Sequence, residues 1–266
     1  MFLQQALLQR NLAQLSSGLK INSASDDAAG LAISEQLRAN ISGANALVSN
    51  ASRAINLVQT AEGALFEINT QLSAIRGLVV QAGNRAVLGD AGVEAIQSQI
   101  QNSLGSINRI VETTQFAGRP LLNGTFENEQ FAVTEGGPVT LTIPNLAPSN
   151  LGRGVENESG FTSLAAIDVT TLQGAADAFR IVDAAIDEVT GVRGELGALQ
   201  TNTLESAARS LQINRENLLS SLSTIRDTDY TEAVGESVLA RVRLQASILA
   251  QNISNRSTGM ILDLFA

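Results

Sequence analysis

The chain has 266 residues, a formal net charge of −9, 44% hydrophobic but only 3% aromatic residues, and neither cysteine nor histidine. Disulfides, thiolate chemistry, the commonest metal ligand and the usual general base near neutral pH are therefore missing. Without a basic cluster there is nothing to neutralise phosphates, so nucleic acid is not an expected partner.

The opening residues, MFLQQALLQRNLAQ, lack a basic stretch followed by a sustained apolar one. No segment reaches the roughly 20 apolar residues of a membrane helix. No cleaved signal, anchor or membrane contact is expected, which leaves the cytoplasm or an export route that reads no classical signal peptide. Residues Met1 to Gln14 and Leu239 to Asn255 mix aliphatic side chains with Gln and Asn. As single helices they bury too little surface to offset about 1–2 kcal/mol of chain entropy per residue. In a dissolved monomer they are expected to be largely disordered and to order on assembly.

Asp26 and Asp27, following Ser23 and Ser25, supply caps and negative charge for a helix beginning near Asp27. Ile41, Ala44, Val48, Ala51, Ile55 and Val58, then Leu65, Ile68, Leu72, Ile75 and Val79, recur at steps of three and four. That pattern predicts one long amphipathic helix ending near Ala82. After a break from Gly83 to Gly89, Asp90 opens a second helix carrying Val93, Ile96, Ile100, Leu104, Ile107 and Val111. The short connection makes it an antiparallel neighbour.

From Thr114 the character changes. QFAGRPLLNG carries turn residues, and the alternating stretches FAVTE and VTLTIP flank Gly136 and Gly137 as a hairpin. Pro144, Pro148, Gly152, Gly154 and Gly160 mark an irregular, exposed region. Helical period returns at Ala175 and persists through Val182, Val189, Leu196, Leu211 and Leu218 to Ile225. The predicted fold is mainly α: a long antiparallel, coiled-coil-like helical rod with a small β-hairpin, plus separate terminal helices.

The acidic residues Asp26, Asp27, Asp227 and Asp229 admit a reading as paired carboxylates for metal or acid–base work, but helix caps explain them more cheaply. Arg226 and Asp227 are expected to make local ion pairs, worth about 0–1 kcal/mol at a surface. Gly18, Gly30 and Gly43 form no phosphate loop, since no GxxxxGK[ST] or GxGxxG pattern follows a strand.

Five stretches occur in a telling order: LSSGLKINSASDDAAGLAIS from Leu15, QTAEGALFEINTQL from Gln59, TQFAGRPLLNG from Thr114, LGALQTN from Leu196 and IRDTDYTEAV from Ile225. With these motifs, spread over nearly the whole chain, the sequence resembles bacterial flagellin. The resemblance implies a structural, non-enzymatic subunit, without cofactor, that polymerises into the flagellar filament. Residues 1–25 and 228–266 would form the inner tube. Residues 26–118 and 173–227 would supply the rod helices, and 119–172 a small β and loop region. Gly18, Asp26, Asp27, Arg226, Asp227 and Asp229 would mark the junction of tube and rod, with Gly18 allowing the bend.

Implied partners are other flagellin subunits, an export chaperone, the cap protein and the hook-associated junction protein. Implied location is the extracellular filament, reached through the flagellar type III apparatus. The family's N-terminal segment starts roughly eighteen residues earlier, about five helical turns, so the resemblance implies a shortened partner for the C-terminal helix. Large outer domains are absent, and without histidine the zinc protease of some relatives is excluded. Flagellins sensed by the animal flagellin-recognising Toll-like receptor present an Arg, a Leu and a Glu, where this chain has Ala74, Leu78 and Gln99, so weak recognition is expected. Alternative readings are a hook–filament junction protein, and a surface adhesin holding a glycan on Phe126 and Phe131.

Overall fold

The computed structural model describes residues 2–134 and 136–265, with side chains up to Ser257. Met1, Glu135 and Ala266, which the expected termini and hairpin include, lie outside them. Two compact units emerge: residues up to Asn45 together with those from Ile213 onward, and residues Ala46–Gln212. The expected tube segments, 1–25 and 228–266, fall within the first.

The helices are α1 (Phe2–Ser17), α2 (Ala28–Ala82), α3 (Arg85–Thr113), α4 (Leu172–Ala198), α5 (Glu205–Arg226) and α6 (Tyr230–Phe265). Asp27 caps α2, its Oδ1 accepting from the Gly30 N–H at 2.9 Å. α3 begins at Arg85, before the expected Asp90, but Gly89 (φ 66, ψ 176) interrupts it, so the foreseen break survives inside the element. α4 begins at Leu172 rather than Ala175, because the Thr171 side chain accepts from the Gly174 N–H.

In the second unit, α2 buries Ala51, Ala54, Val58, Ala61, Leu65, Ile68, Leu72, Ile75, Val79 and Ala82. Steps of three and four alternate without a fault, a 3.5-residue repeat of the kind that keeps one seam facing its partners. α3 adds Val93, Ile96, Ile100, Leu104, Ile107 and Val111 to the same core, and α4 adds Ala175, Ala178, Val182, Ala185, Val189 and Leu196. Polar ties fix α2 against α4. Glu62 pairs with Arg193, Asn69 donates to Thr190, and Arg76 pairs with Asp183 at 2.6 Å. Ascending positions on one helix meet descending positions on the other, so the two run antiparallel. Each arginine also covers a ring on the opposite helix, Arg76 over Phe179 at 5.0 Å and Arg193 over Phe66 at 5.6 Å.

Two small antiparallel ladders follow α3. β1 (Gln115–Phe116) and β2 (Arg119–Pro120) are joined by Ala117 and Gly118, both at positive φ, as a tight two-residue hairpin turn requires. β3 (Glu129–Thr134) pairs with β4 (Gly137–Leu141), Phe131 opposite Val139, with a register shift before Thr134. This is the expected hairpin, with the partner strand starting at Gly137 and stopping at Leu141.

The following segment is irregular but not exposed as expected. Ile143, Leu146, Leu151, Leu164, Ile167 and Val169 are all buried in the unit's core. Its backbone is satisfied by specific partners. Leu146 N–H reaches Leu122 O, and Gln97 bonds both Ile167 O and Val169 N–H.

The buried Asp177 of α4 accepts from Ser159 Oγ at 2.6 Å, from the Ser159 and Glu158 N–H groups, and from Arg180. The Ser159 hydroxyl chiefly, against the opposing effect of burial and with help from Arg180, holds its carboxyl down at about 2.

Between α4 and α5 the chain does not leave the helix. Leu199–Leu204 form a π turn, closed by the Glu205 N–H on Gln200 O. The third helix was expected to be uniformly α.

Candidate assembly interface

The residues singled out as a junction all lie in the first unit. α1 stops because Gly18 takes a left-handed conformation (φ 72) while its N–H bonds Gln14 O at 2.8 Å. A Cβ there would also stand 2.9 Å from the Tyr230 hydroxyl. The chain then lies antiparallel beside the end of α5: Lys20 N–H donates to Arg226 O at 2.7 Å, and Thr228 N–H to Gly18 O at 3.0 Å. Leu19 and Asp227 are the bridged pair.

Three of the four acidic residues act as caps or turn anchors. Asp26 accepts from the Ser23 N–H and hydroxyl and the Asn22 N–H, and pairs with Arg10 at 3.1 Å. Burial alone would raise its carboxyl, but the Ser23 and Asn22 bonds, with Arg10, hold it below the ordinary range. Asp27 caps α2, and Asp229 caps α6 through the Thr231 N–H at 2.8 Å and Glu232 N–H at 3.2 Å.

Arg226 and Asp227 depart from the expected local pair. The Arg226 side chain is 13% exposed and reaches Glu35 of α2 at 2.7 Å, while Asp227 accepts from the Ser223 hydroxyl at 2.6 Å. At the end of α5 the two side chains leave in different directions, so adjacency in sequence did not make them partners. Glu35, far away along the chain, had no local signal.

Ala74, Leu78 and Gln99 belong to the second unit and take no part in this junction. Ala74 and Gln99 are exposed, and Leu78 is half-buried against the core.

α1 and α6 pack on each other. α1 turns Gln4, Leu8, Asn11 and Leu15 inward, with Asn11 buried. On the inward face of α6, Ala233, Ser237 and Ala240 are buried and Leu244 is half-buried. Most of its described large aliphatic side chains are outside, with Val234, Val238, Val242, Leu249 and Ile253 between 51% and 69% exposed. Steps of four and seven place them in one stripe. α1 leaves Phe2, Leu3, Leu7 and Leu12 similarly open. Composition marked these segments as mixtures of aliphatic and amide side chains, but which of them are closed and which open needed the packing.

What this arrangement offers is apolar surface. Full burial of one such aliphatic side chain is worth about 1.5–3 kcal/mol, and about half of that remains to be gained on each residue of the stripe. Among the described residues no helix is long and apolar enough to cross a membrane, so the stripe is not explained as a span.

Comparison with known proteins adds an independent finding. Residues 3–127 match the profile of the bacterial flagellin N-terminal helical region, and residues 179–265 that of the C-terminal helical region. Flagellin of Bacillus subtilis is 37% identical over 91% of this chain and 88% of its own length. The flagellar filament core protein flaB2 of Brachyspira hyodysenteriae is 35% identical over 91% and 86%. Among solved structures, Bacillus cereus flagellin is similar with a TM-score of 0.50 and 20% identity, over 61% of this chain and 88% of that one. A Vibrio parahaemolyticus protein described as flagellar hook-associated reaches 0.64 at 16% identity, over 76% and 100%, a likeness of fold.

Proposed function

Because the chain belongs to the bacterial flagellin family, and so is a structural subunit of the flagellar filament that polymerises with others of its kind, we propose that the open faces of α1 and α6 are the surfaces through which it does so. The observation that carries this reading is the burial pattern of α6, whose fully buried side chains are small while an aliphatic stripe is turned out. Such a stripe, unlike scattered exposed apolar residues, is the mark of an interaction face.

Negative-stain electron microscopy after salt-induced, seeded polymerisation tests it. The full chain is expected to form filaments, and the Val238→Asp, Leu249→Asp double variant to remain monomeric with an unchanged unfolding transition of the second unit. Filaments of normal length from the double variant would refute it.

The same reading covers the finer roles. The subunit leaves through the flagellar type III apparatus with an export chaperone, adds beneath the cap protein and sits above the hook-associated junction protein. It has no catalytic activity. The hook–filament junction alternative gains no support beyond fold. The adhesin alternative fares worse, since Phe126, stacked near Phe131 with ring centroids 6.2 Å apart, is only 2% exposed. With Ala74 and Gln99 at exposed positions where stimulatory flagellins carry charges, recognition by the flagellin-sensing receptor is weak. A reporter-cell response equal to that of a strongly stimulatory flagellin would contradict this.

A further inference from the structure

Along the third helix the inward aliphatic positions run Val182, Val189, Leu196, Leu204, Leu211, Leu218 and Ile225. Every step is seven residues except that from Leu196 to Leu204, which is eight. An uninterrupted α-helix turns about 100° per residue, so one surplus residue would swing everything beyond it off the seam. Yet Leu196, Leu204 and Leu211 are 2%, 1% and 6% exposed. The π turn at Leu199–Leu204 accounts for this, because its wider i→i+5 bonding absorbs the surplus residue and restores the phase.

The surroundings hold the two ends of this turn, Leu199 packed on the core and Leu204 buried, and leave its middle open. Thr201 and Asn202 are exposed, so no packing decides which residue is the extra one. Gly191, Gly194 and Gly197 precede it in the helix, and a Cβ at any of them would meet nothing within 4 Å. No steric demand for glycine is visible there, although glycine is a poorer helix former than alanine. Across the turn itself the tie is a single side-chain bond, Gln200 Nε2 to Glu205 Oε1 at 3.0 Å.

We propose that the surplus residue between Leu196 and Leu204 makes this stretch a compliant joint, a π turn free to shift along the helix while the aliphatic residues on either side stay seated. In the filament, which rests on the assembly reading above, the joint lets the helix adjust its local twist as neighbouring subunits lock into different supercoiled arrangements.

Hydrogen exchange on the monomeric full chain tests the joint without requiring assembly. Amides of residues 199–205 are expected to exchange at least about tenfold faster than those of residues 182–192 in the same helix. Deleting Thr201, which restores an unbroken seven-residue repeat, is expected to remove that difference while keeping or raising the unfolding midpoint. Filaments of the deletion variant are expected to hold one waveform across salt and pH steps that switch the parent. Equal protection on both sides of the turn in the parent chain would overturn the proposal whatever the variant does. A deletion variant that folds with the fast exchange intact would do so as well.

Discussion

The two units use the same aliphatic alphabet in opposite ways. In Ala46–Gln212, Leu65, Ile68, Leu72 and Ile75 on α2 are fully buried, and the helix meets its partners within one chain. On α6 it is alanine and serine that are buried, while Val238, Val242 and Leu249 stand more than half exposed. Amphipathic period alone therefore says that a helix has a partner, not that the partner is in the same molecule. The large side chains decide the question: those fully buried make a fold, and those left exposed mark an interface.

The largest expected effect follows from the closed unit. Leu72→Ala removes a fully buried side chain from the centre of the seam and should cost about 2–5 kcal/mol in urea denaturation. A loss under about 1 kcal/mol would mean the core is less tightly closed than its burial implies. A smaller effect belongs to the junction in the first unit. Gly18→Ala places a side chain at φ 72 and against the Tyr230 hydroxyl, for a cost of about 1–2 kcal/mol. Wild-type stability in this variant would show that the bend after α1 relaxes freely.

A third prediction sharpens the comparison by pH. Asp177 titrates at about 2 in the folded chain, below the roughly 3.9 of an unfolded aspartate. A carboxylate depressed on folding stabilises above the unfolded value and loses that contribution as pH falls through the folded one. The stability gap between the parent chain and Asp177→Asn should therefore be full above about pH 4 and narrow steadily toward about pH 2. A gap independent of pH would remove Asp177 from the list of anchors.

Much of the fold was legible in the sequence because it is periodic. The seam of α2, the inward positions of α3 and the cap residues Asp27 and Asp229 follow from local rules that act over one or two helical turns. What stayed hidden was non-local. Arg226 finds Glu35 across 191 positions, and Asp177 sits among core positions of α4 because a distant loop supplies its donors. The irregular stretch from Pro144 to Gly160 reads as a surface loop by its prolines and glycines, although Leu146 and Leu151 within it are buried. The π turn was a different case. Its signal, an eight-residue step in a seven-residue pattern, lies in the sequence but is invisible to a reading that assumes every helix is α.

The contrast between a closed unit and an open one is tested most directly by hydrogen exchange of the full chain before and after polymerisation. Protection should rise steeply in α1 and α6 on assembly, while α3, α4 and the part of α2 beyond Ala46 stay as protected as they were in the monomer. Terminal helices equally protected in monomer and filament would contradict the account, because their apolar faces would then be closed within a single molecule.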